Sequence, residues 1–485
     1  MFVKKRKKTK YIDTFSLLKL KINYNMEKLR KSLRESKTAR WFALAVISFT
    51  MLCGYYLTDV MASLKPLLEK ELLWNSAEYG IFTSAYGWFN VFLFMLIIGG
   101  IILDKLGVRF TGRLATVIMV IGTAIKYWAI STHALDGHTL FGMKLQVMVA
   151  GFGYAVFGVG VEVAGITVSR IIVKWFKGKE MALAMGLEMA TARIGTGLAI
   201  ATSAPIAVAL HGVSKPVLLA LILLCIGMIA FFLYTIMDKK LDEEIANEAS
   251  ESGISSEEEA FRLKDILYIL KNRGWWYIAI LCVLFYSAVF PFLKYATDLM
   301  VNKFKVDEEV AGLIPMLLPF GTIILTPFFG NLYDRKGKGA SIMILGAILL
   351  IFVHAMFSVP FLNMTPVAIF LIIILGIGFS LVPSAMWPSV PKIIPEKQLG
   401  TAYALIFWVQ NWGLMGVPAL IGWVLNRFCI TGTRVVDGVE VSSYNYTLPM
   451  LIFTALGVLA LLFAFLLRIE DRKKGYGLEL PNIKK

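Results

Sequence analysis

The chain has 485 residues, of which 58% are hydrophobic and only 17% are charged, and its mean hydropathy is +0.70. A soluble domain carries about 25% charged residues, so the composition excludes an ordinary soluble protein and indicates an integral membrane protein. The net charge of +16 does not point to nucleic acid, because lysine and arginine concentrate in the N-terminal tail and in alternate loops. The four scattered cysteines indicate neither a disulfide framework nor a zinc site.

Twelve apolar stretches are long enough to cross a bilayer, for which a helix needs about 20 residues. Many contain glycine or proline, which membrane helices tolerate when neighbouring helices satisfy the backbone. The predicted spans are 41–62, 80–103, 112–131, 145–169, 181–209, 215–237, 275–299, 310–330, 340–360, 366–390, 400–426 and 447–468. The sequence therefore predicts an all-α integral membrane protein with twelve transmembrane helices.

Basic residues set the expected orientation of these spans. The first forty residues contain 14 lysines and arginines. The side that holds both termini and the even-numbered loops collects 38 of the 49 basic residues, whereas the other side collects 8. Both termini are therefore expected in the cytoplasm.

The longest loop separates the twelve spans into six and six. It begins with the acidic, serine-rich run "DEEIANEASESGISSEEE" and continues with the amphipathic run "AFRLKDILYIL". We expect a flexible linker followed by a surface helix, with partner binding by the linker as an open alternative. The predicted parts are a basic tail at 1–40, a six-helix bundle at 41–237, the linker at 238–274, a second six-helix bundle at 275–468 and a tail at 469–485.

Two short charged stretches occur at equivalent loops of the two halves. "GIILDKLGVR" follows span 2, "GNLYDRKGKG" follows span 8, and their aspartates are 230 residues apart. The shared pattern predicts an internal duplication. Its members are Gly100, Asp104, Gly107, Arg109, Gly330, Asp334, Arg335 and Gly337.

A structural role explains part of this pattern, because glycine permits positive φ at a tight turn and aspartate can cap the next helix. A matched pair of such loops resembles the signature of the major facilitator superfamily, and the resemblance extends to all twelve spans and the six-plus-six division. It implies that the loop charges engage helices of the opposite half, act as gates during alternating access and do not touch substrate. The second copy departs from the first, since Gly339 stands where the first has Arg109.

Ionisable residues inside a membrane span are costly and usually face the bundle interior. The candidates are Asp59, Lys126, Glu162, Glu188, Arg193, Lys294, Asp298 and His354. Lys294 and Asp298 are one helical turn apart and are expected to pair with each other. Lys126 is expected to extend its amine outward along the helix, and His354 to be a satisfied interior residue.

Glu162 and Arg193 are the strongest site candidates. Glu162 precedes the basic loop near Lys174 by about eleven residues, and Arg193 follows that loop by about thirteen. At about 1.5 Å per residue, both reach a similar depth near the membrane centre. An ion pair that only fixes the helices is one interpretation, but such a pair is rarely better than apolar packing. Opposite charges held apart in a cavity instead suit a zwitterion such as an amino acid or short peptide.

The same region resembles the lysosomal dipeptide transporters of the superfamily. The resemblance rests on "WFKGKE", "ARIGT", "CGYYLTDV" and "FYSAVFPF". It implies that Glu162 and Arg193 contact the termini of the peptide, and that Tyr55, Tyr56 and Asp59 line the entrance. It also implies passive uniport.

Glu188 departs from that group, in which an uncharged residue is expected. An added carboxylate five residues before Arg193 is a candidate for substrate binding and proton coupling. Transport by uniport and transport coupled to protons therefore both remain open.

Several alternatives remain at the level of sequence. A proton- or anion-coupled carrier of another small organic anion needs a second cation in the cavity, which Lys126 or Lys294 could supply. A non-transporting sensor on the same fold is a more distant alternative. An enzyme is not expected, because the sequence lacks a phosphate-binding loop, a zinc-protease motif and a nucleophile elbow.

No cofactor or metal is predicted, and the expected partners are a small-molecule substrate, the lipid bilayer and protons. We expect a functional monomer that does not bind nucleic acid. The stretch "SLLKL" at 16–20 lacks a preceding acidic residue and is not a convincing lysosomal sorting signal. A bacterial inner membrane is therefore favoured over a lysosomal membrane.

Overall fold

The computed structural model describes residues 36–176, 180–252, 263–395, 398–436 and 438–482, without the side chains of 182, 244–252 and 263–264. Most of the predicted basic tail, including "SLLKL", and the centre of the predicted linker lie outside these ranges.

The first half of the chain is helical, with one short hairpin. Ser36 caps the first helix by accepting a hydrogen bond from the backbone N–H of Ala39, and Asn75 and Glu78 form a reciprocal capping box at a later one. The elements are α1 (Lys37–Asp59), α2 (Lys65–Glu71), α3 (Ser76–Ser84), α4 (Trp88–Phe92), α5 (Met95–Ser131), β1 (Thr139–Leu140), β2 (Met143–Lys144), α6 (Leu145–Phe176), α7 (Met181–Ala209) and α8 (Ser214–Ser252).

The second half repeats this plan and adds a longer antiparallel hairpin. Its elements are α9 (Leu263–Leu270), α10 (Arg273–Phe304), α11 (Leu317–Lys336), α12 (Gly339–Ser358), α13 (Thr365–Ile393), α14 (Leu399–Phe428), β3 (Ile430–Val436), β4 (Val439–Tyr444) and α15 (Thr447–Lys474). The hairpin β3–β4 pairs Ile430 with Tyr444 at its base. The hydropathy pattern does not predict this hairpin.

Within the described residues, eleven helices are long and apolar enough to cross a membrane. One of them, α5, contains a non-helical turn at Gly107 (φ 74°, ψ 174°) and so forms the end of span 2 and all of span 3. The beginning of span 2 is broken into α3, a 3-10 turn at Ala85–Gly87, and α4. The prediction of twelve crossings is confirmed, with span 2 discontinuous.

Corresponding helices in the two halves pack against corresponding neighbours. In the first half α1 contacts α7 and α8, and α5 contacts α6 and α8. In the second half α10 contacts α14 and α15, and α12 contacts α13 and α15. The halves meet where α3 packs against α14 and α7 packs against α11. The sequence repeat is therefore also a repeat of helix packing.

The helices define two faces of the molecule. Asp59 at the end of α1 approaches Lys294 near the end of α10, and Tyr446 at the start of α15 approaches Asp298. The beginnings of α1 and α10 and the end of α15 therefore lie at the opposite face. We call the face with the four strands the hairpin face and the face with the chain ends the terminal face.

The linker differs from its predicted flexibility. Helix α8 continues through residue 252, so 238–252 is helical. Its continuation is anchored because Asp238 accepts hydrogen bonds from Lys174 at 2.7 Å and from the Trp175 indole at 2.9 Å. Helix α9 lies where the surface helix is predicted, and its Asp265 accepts a hydrogen bond from Gln398 at 3.1 Å.

Candidate functional site

Glu162 lies on α6 and reaches toward both halves of the molecule. Its Oε1 accepts a hydrogen bond from the Tyr86 hydroxyl at 2.7 Å, and the Asn411 amide on α14 lies near enough to affect its carboxylate electrostatically. Tyr86 belongs to the broken part of span 2. The carboxylate is therefore held by one neutral hydroxyl of its own half, beside an amide of the opposite half, and remains available to a cation.

Arg193 on α7 contacts the opposite half through aromatic rings. Its guanidinium carbon lies 5.3 Å from the ring centroids of both Phe290 on α10 and Phe379 on α13. Such cation–π contacts stabilise a guanidinium by about 0.5–2 kcal/mol and leave the N–H groups in its plane free to donate. The side chain is thus positioned for a planar anion such as a carboxylate.

Glu162 and Arg193 do not form the fixed ion pair that was one interpretation of the sequence. Among the described residues, no carboxylate oxygen lies within 4.0 Å of an Arg193 nitrogen. Both side chains are partly exposed, although they lie on helices that meet the opposite half. The acid and the base are therefore separate, as a site for a zwitterion requires.

Glu188 and Tyr55 lie in the same electrostatic environment. The charges of Arg193, Glu162 and Glu188 all act on the Tyr55 hydroxyl, and Arg193 is the charged neighbour that acts on Glu188. Tyr55 and Glu188 are also partly exposed. The structure therefore brings together four of the six predicted binding residues. We call Tyr55, Glu162, Glu188 and Arg193 the central site.

The other two predicted binding residues lie apart from this group. Tyr56 is buried, and its hydroxyl is 3.0 Å from the Thr202 hydroxyl within the same half. Asp59 is buried at the hairpin-face end of α1, where it accepts a hydrogen bond from Thr196 at 2.8 Å. Neither side chain is placed as an open entrance residue in this conformation.

The predicted pair between Lys294 and Asp298 is wrong, because each residue pairs across the molecule instead. Lys294 lies 2.6 Å from Asp59, and Asp298 lies 2.8 Å from Lys65. Although they are one turn apart, the two side chains point to different helices of the first half. Both of these buried ion pairs therefore join the halves at the hairpin face.

The second of these pairs belongs to a larger buried cluster. Lys65 also lies 2.9 Å from Glu69, which accepts a hydrogen bond from the Tyr444 hydroxyl at 2.8 Å. The Tyr446 hydroxyl donates to Asp298. We call these five residues the hairpin latch, since β4 and α10 of the second half hold α2 of the first.

Lys126 does not extend outward as predicted. Its side chain is fully buried, and its amine lies 4.5 Å from the Tyr154 ring centroid and 5.3 Å from that of Phe82. Among the described residues the amine has no hydrogen-bond partner. Hence aromatic rings, rather than the membrane surface, surround it. His354 is buried as expected, with Nε2 2.9 Å from the Ala288 carbonyl, but its Nδ1 has no hydrogen-bond partner among the described residues.

The first copy of the duplicated loop makes its described contacts within its own half. Asp104 lies 3.4 Å from Arg170, and Arg109 lies 3.0 Å from Asp242 and 3.9 Å from Asp238. The resemblance implies contacts with the opposite half, whereas these ion pairs join residues of the same half. Gly107 adopts positive φ at the turn, as expected.

The second copy is held by the C-terminal segment. Asp334 accepts a hydrogen bond from Asn482 at 2.7 Å, and Arg335 is exposed. Gly337 has φ 70°, and a Cβ there would overlap the backbone of Glu479 and Leu480. At Gly100 and Gly330, in contrast, an added Cβ would meet no atom within 4 Å. In this conformation close packing requires glycine at only one of these three positions.

Four side chains that surround the central site are not predicted from the sequence: Tyr86, Phe290, Phe379 and Asn411. A search for ionisable residues inside spans cannot find aromatic rings or amides. A useful signal in the sequence is the pair of adjacent amides, Gln410 and Asn411, in the otherwise apolar middle of span 11. The interruption of span 2 at Tyr86 is a feature of the structure.

Comparison with a family model identifies the superfamily. The model for the Major Facilitator Superfamily matches residues 44–418 and 297–480. The match extends over both halves of the chain.

Curated relatives share about a quarter of their residues with this chain. The Lysosomal dipeptide transporter MFSD1 of Mus musculus is 26% identical over 448 residues, covering 90% of this chain and 87% of the relative. The protein of the same name from Homo sapiens is 26% identical over 457 residues with the same coverage.

Solved structures share the fold at lower identity. A bacterial homologue of the human lysosomal transporter Spinster, inward-facing and occupied, has a TM-score of 0.65 and 10% identity, covering 90% of this chain and 98% of that chain. A D-xylose–proton symporter has a TM-score of 0.64 and 15% identity, covering 88% and 97%. With twelve crossings, repeated halves and a match along both of them, the chain belongs to the major facilitator superfamily of membrane transporters.

Proposed function

We propose that this transporter moves small zwitterionic solutes, dipeptides or amino acids, by alternating access. The observation that carries the proposal is the separation of Glu162 from Arg193 at the interface of the halves. The glutamate can accept from the ammonium of a solute, and the guanidinium can donate two parallel hydrogen bonds to its carboxylate. The named relatives are dipeptide transporters, which supports the same class.

Binding at this site would couple the solute to movement of the halves. Arg193 contacts Phe290 and Phe379 of the second half, and Glu162 lies near Asn411 of that half, so a solute held between the two charges lies against both halves. Transporters place substrate near the midplane between repeats and rock one repeat against the other. In this proposal the duplicated loops act as gates at the terminal face and the hairpin latch acts at the other.

The placement of the two buried lysines supports a zwitterion over a dicarboxylate. A dicarboxylate needs a second cation beside Arg193. The charge of Lys294 is matched by Asp59 at 2.6 Å, and the Lys126 amine is enclosed by Tyr154 and Phe82. Neither lysine joins the central site as a second free cation.

We also propose that the terminal face lies in the cytoplasm of a bacterial cell and that a single chain is functional. The excess of basic residues on the side of the termini supports the orientation. Both halves of the central site come from one chain, which supports a monomer. Protease digestion of sealed inside-out and right-side-out vesicles tests the orientation, since cleavage of the C-terminal tail in right-side-out vesicles would contradict it.

The test of the proposed function is dipeptide transport by the purified protein in proteoliposomes. We expect counterflow of alanyl-alanine by the wild type, a loss of at least about tenfold for Arg193→Ala, and a smaller loss for Arg193→Lys, which keeps the charge but not the paired donors. Arg434→Gln is the matched control, because Arg434 pairs with Glu308 away from the central site. If Arg193→Ala shows the same counterflow as the wild type, the assignment of the site is overturned. If the wild type shows no counterflow of alanyl-alanine, the substrate class is overturned.

A further inference from the structure

The C-terminal segment, residues 476–482, lies across the second copy of the duplicated loop. The Lys338 N–H donates a hydrogen bond to the Glu479 carbonyl at 2.9 Å. The Gly339 N–H donates to the Leu478 carbonyl at the same distance. Leu478 is fully buried, so the segment packs against the loop as well as bonding to it.

Side chains add to these backbone contacts. The Glu479 carboxylate caps α12, because it accepts from the Ser341 backbone N–H at 2.9 Å and from the Ser341 hydroxyl at 3.0 Å. The Lys392 amine at the end of α13 donates to the Gly477 and Leu480 carbonyls, each at 3.0 Å. The segment therefore joins α12 and α13, which are both helices of the second half.

The first copy of the loop is held in a different way. Its Arg109 and the nearby Lys174 both lie against Asp242 on the continuation of α8, at 3.0 and 2.5 Å. The second copy has Gly339 where the first has Arg109. A Cβ at Gly339 would lie 2.8 Å from the Leu478 carbonyl oxygen, which leaves no room for a side chain. The departure of the second copy from the first is therefore explained by the segment, which takes the place of the charged contacts.

The segment also occupies the aspartate of the second copy. The Asn482 side-chain amide donates to the Asp334 carboxylate at 2.7 Å, and the Asn482 N–H donates to the Asp334 carbonyl at 3.1 Å. In the proposed mechanism this carboxylate contacts the first half when the terminal face closes. While Asn482 is in place, Asp334 is held to its own half.

We propose that the C-terminal segment is an autoinhibitory clamp, which has to release the second copy of the loop before the terminal face can close. The structure shows the clamp engaged together with the ion pairs across the hairpin face, so its release favours the opposite conformation. This inference rests on the proposed function, because alternating access gives Asp334 its part as a gate. It adds a control of transport by the end of the chain.

The first test fixes the clamp by a reversible cross-link. In a variant without native cysteines, Ser341→Cys and Glu479→Cys are joined by a short bifunctional methanethiosulfonate, and a reducing agent then removes the link from the same protein. We expect the linked form to lose alanyl-alanine counterflow by at least about tenfold and the reduced form to regain it. Ser341→Cys alone, treated with the same reagent, is the control and should keep its counterflow. Equal counterflow by the linked and reduced forms would overturn the clamp.

The second test weakens the clamp and needs no solute. Asn482→Asp replaces the amide donor with a carboxylate beside Asp334, so like charges meet at a partly solvated contact. Spin labels at the exposed positions 106 and 336, one in each half, report the distance across the terminal face. We expect the ratio of molecules closed at that face to molecules open there to rise about threefold, the effect of one exposed hydrogen bond.

The matched control is Asn363→Asp, the same change at an exposed loop position of the second half on the hairpin face, and it should leave the ratio unchanged. An unchanged ratio in Asn482→Asp would overturn the role of the contact with Asp334. Absence of alanyl-alanine counterflow from the wild type would instead overturn the proposed substrate class. The distance measurement still tests the clamp in that case, so the two failures are distinguishable.

Discussion

The two faces of the molecule are held by opposite arrangements of charge. At the hairpin face, buried ion pairs cross between the halves, from Asp59 to Lys294 and from Lys65 to Asp298. At the terminal face, the ion pairs that the structure describes join residues of one half, as between Arg109 and Asp242. The conformation is therefore the one that is closed at the hairpin face.

This difference shows which contacts must change during transport. Burial of a charge is costly without a partner, so separation of the halves at the hairpin face is expected to release Lys294 and Lys65 into water or onto other partners. In the proposed mechanism, Asp104 and Asp334, which occupy the same place in the two copies of the loop, form contacts at the terminal face in the opposite state. In this view the hairpin latch and the contacts of the duplicated loops form in opposite conformations of the transporter.

Paired spin labels can follow both faces in one protein. Positions 210 and 361 are exposed on the hairpin face in different halves, and positions 106 and 336 are exposed on the terminal face in different halves. In a variant without native cysteines, the distance within each pair reports whether that face is open. The hairpin-face distance and the terminal-face distance together therefore report the conformation of the transporter.

The largest expected effect comes from Lys65→Met. Lys65 has 0% exposure and is the cation for both Glu69 and Asp298, so its removal leaves two buried carboxylates without a counter-charge. Breaking a buried ion pair in this way costs about 3–5 kcal/mol. Here the cost destabilises the closed state of the hairpin latch. We expect the hairpin-face distance to lengthen and the terminal-face distance to shorten.

The control for this variant is Lys144→Met. Lys144 is also at the hairpin face, but its partner Glu78 lies in the same half at 3.3 Å and the amine is partly exposed. We expect an effect below about 1 kcal/mol and no change of either distance. Unchanged distances in Lys65→Met would show that the latch does not hold the closed state.

The second effect concerns the pair of Asp59 and Lys294. Reversal of either charge alone, by Asp59→Lys or Lys294→Asp, places like charges in a buried contact and should open the hairpin face. The double reversal restores opposite charges, so the double-mutant cycle should show a coupling of about 2 kcal/mol. The fraction of closed molecules, taken from the hairpin-face distance, gives this value, and additive single effects would argue against a direct interaction.

Much of the fold could be predicted from the sequence, because span length, basic loops and the duplicated motif each report a physical requirement of the bilayer. The same patterns could not show that span 2 breaks near Phe94, which has positive φ. At that break Phe94 stacks on Trp408 of α14, with ring centroids 5.2 Å apart, although the two residues are more than 300 positions apart in sequence. Local hydropathy carries no information about such a contact.

The sequence predicts the depth of the charged side chains in the membrane, but it does not predict which side chains form ion pairs. Equal depth along two helices predicts that Glu162 and Arg193 reach one region, since depth follows from helical rise, and in the structure both charges act on Tyr55. Rotation about the helix axis decides the partner of each side chain, and it is set by packing between helices. For this reason Lys294 and Asp298, although one turn apart, contact different helices of the first half.

The third prediction compares the two copies of the loop at the terminal face. Gly107 and Gly337 both adopt backbone angles that are strained for other residues, at a cost of about 1–3 kcal/mol. Only at Gly337 would a Cβ also meet the backbone of the C-terminal segment. We expect Gly337→Ala to reduce the free energy of unfolding by ~1 kcal/mol more than Gly107→Ala does, and so to lower the thermal unfolding temperature further. Equal shifts would mean that the C-terminal segment moves aside without cost.

The smallest effect is a dependence of the latch on pH. Burial raises the pKa of Glu69, Lys65 on the same helix lowers it, and the charge of Asp298 on α10 raises it, with a net increase above the usual carboxyl value. The Tyr444 and Ser76 hydroxyls also donate to Glu69. When the latch opens, Glu69 becomes solvated and its pKa returns to the usual range, so a proton on Glu69 favours the closed latch.

The sign of the pH effect follows from that difference. The benefit of the proton is complete below the usual carboxyl pKa and is lost as the pH rises through the raised pKa of the closed state. We therefore expect the hairpin-face distance to shift toward the closed value on acidification from neutral pH. Glu69→Gln should hold the closed value at both pH values because it mimics the protonated form, whereas Glu309→Gln, at an exposed position of the same face, should retain the wild-type dependence. A wild-type distance that opens in acid would assign the titration to another carboxylate of the latch.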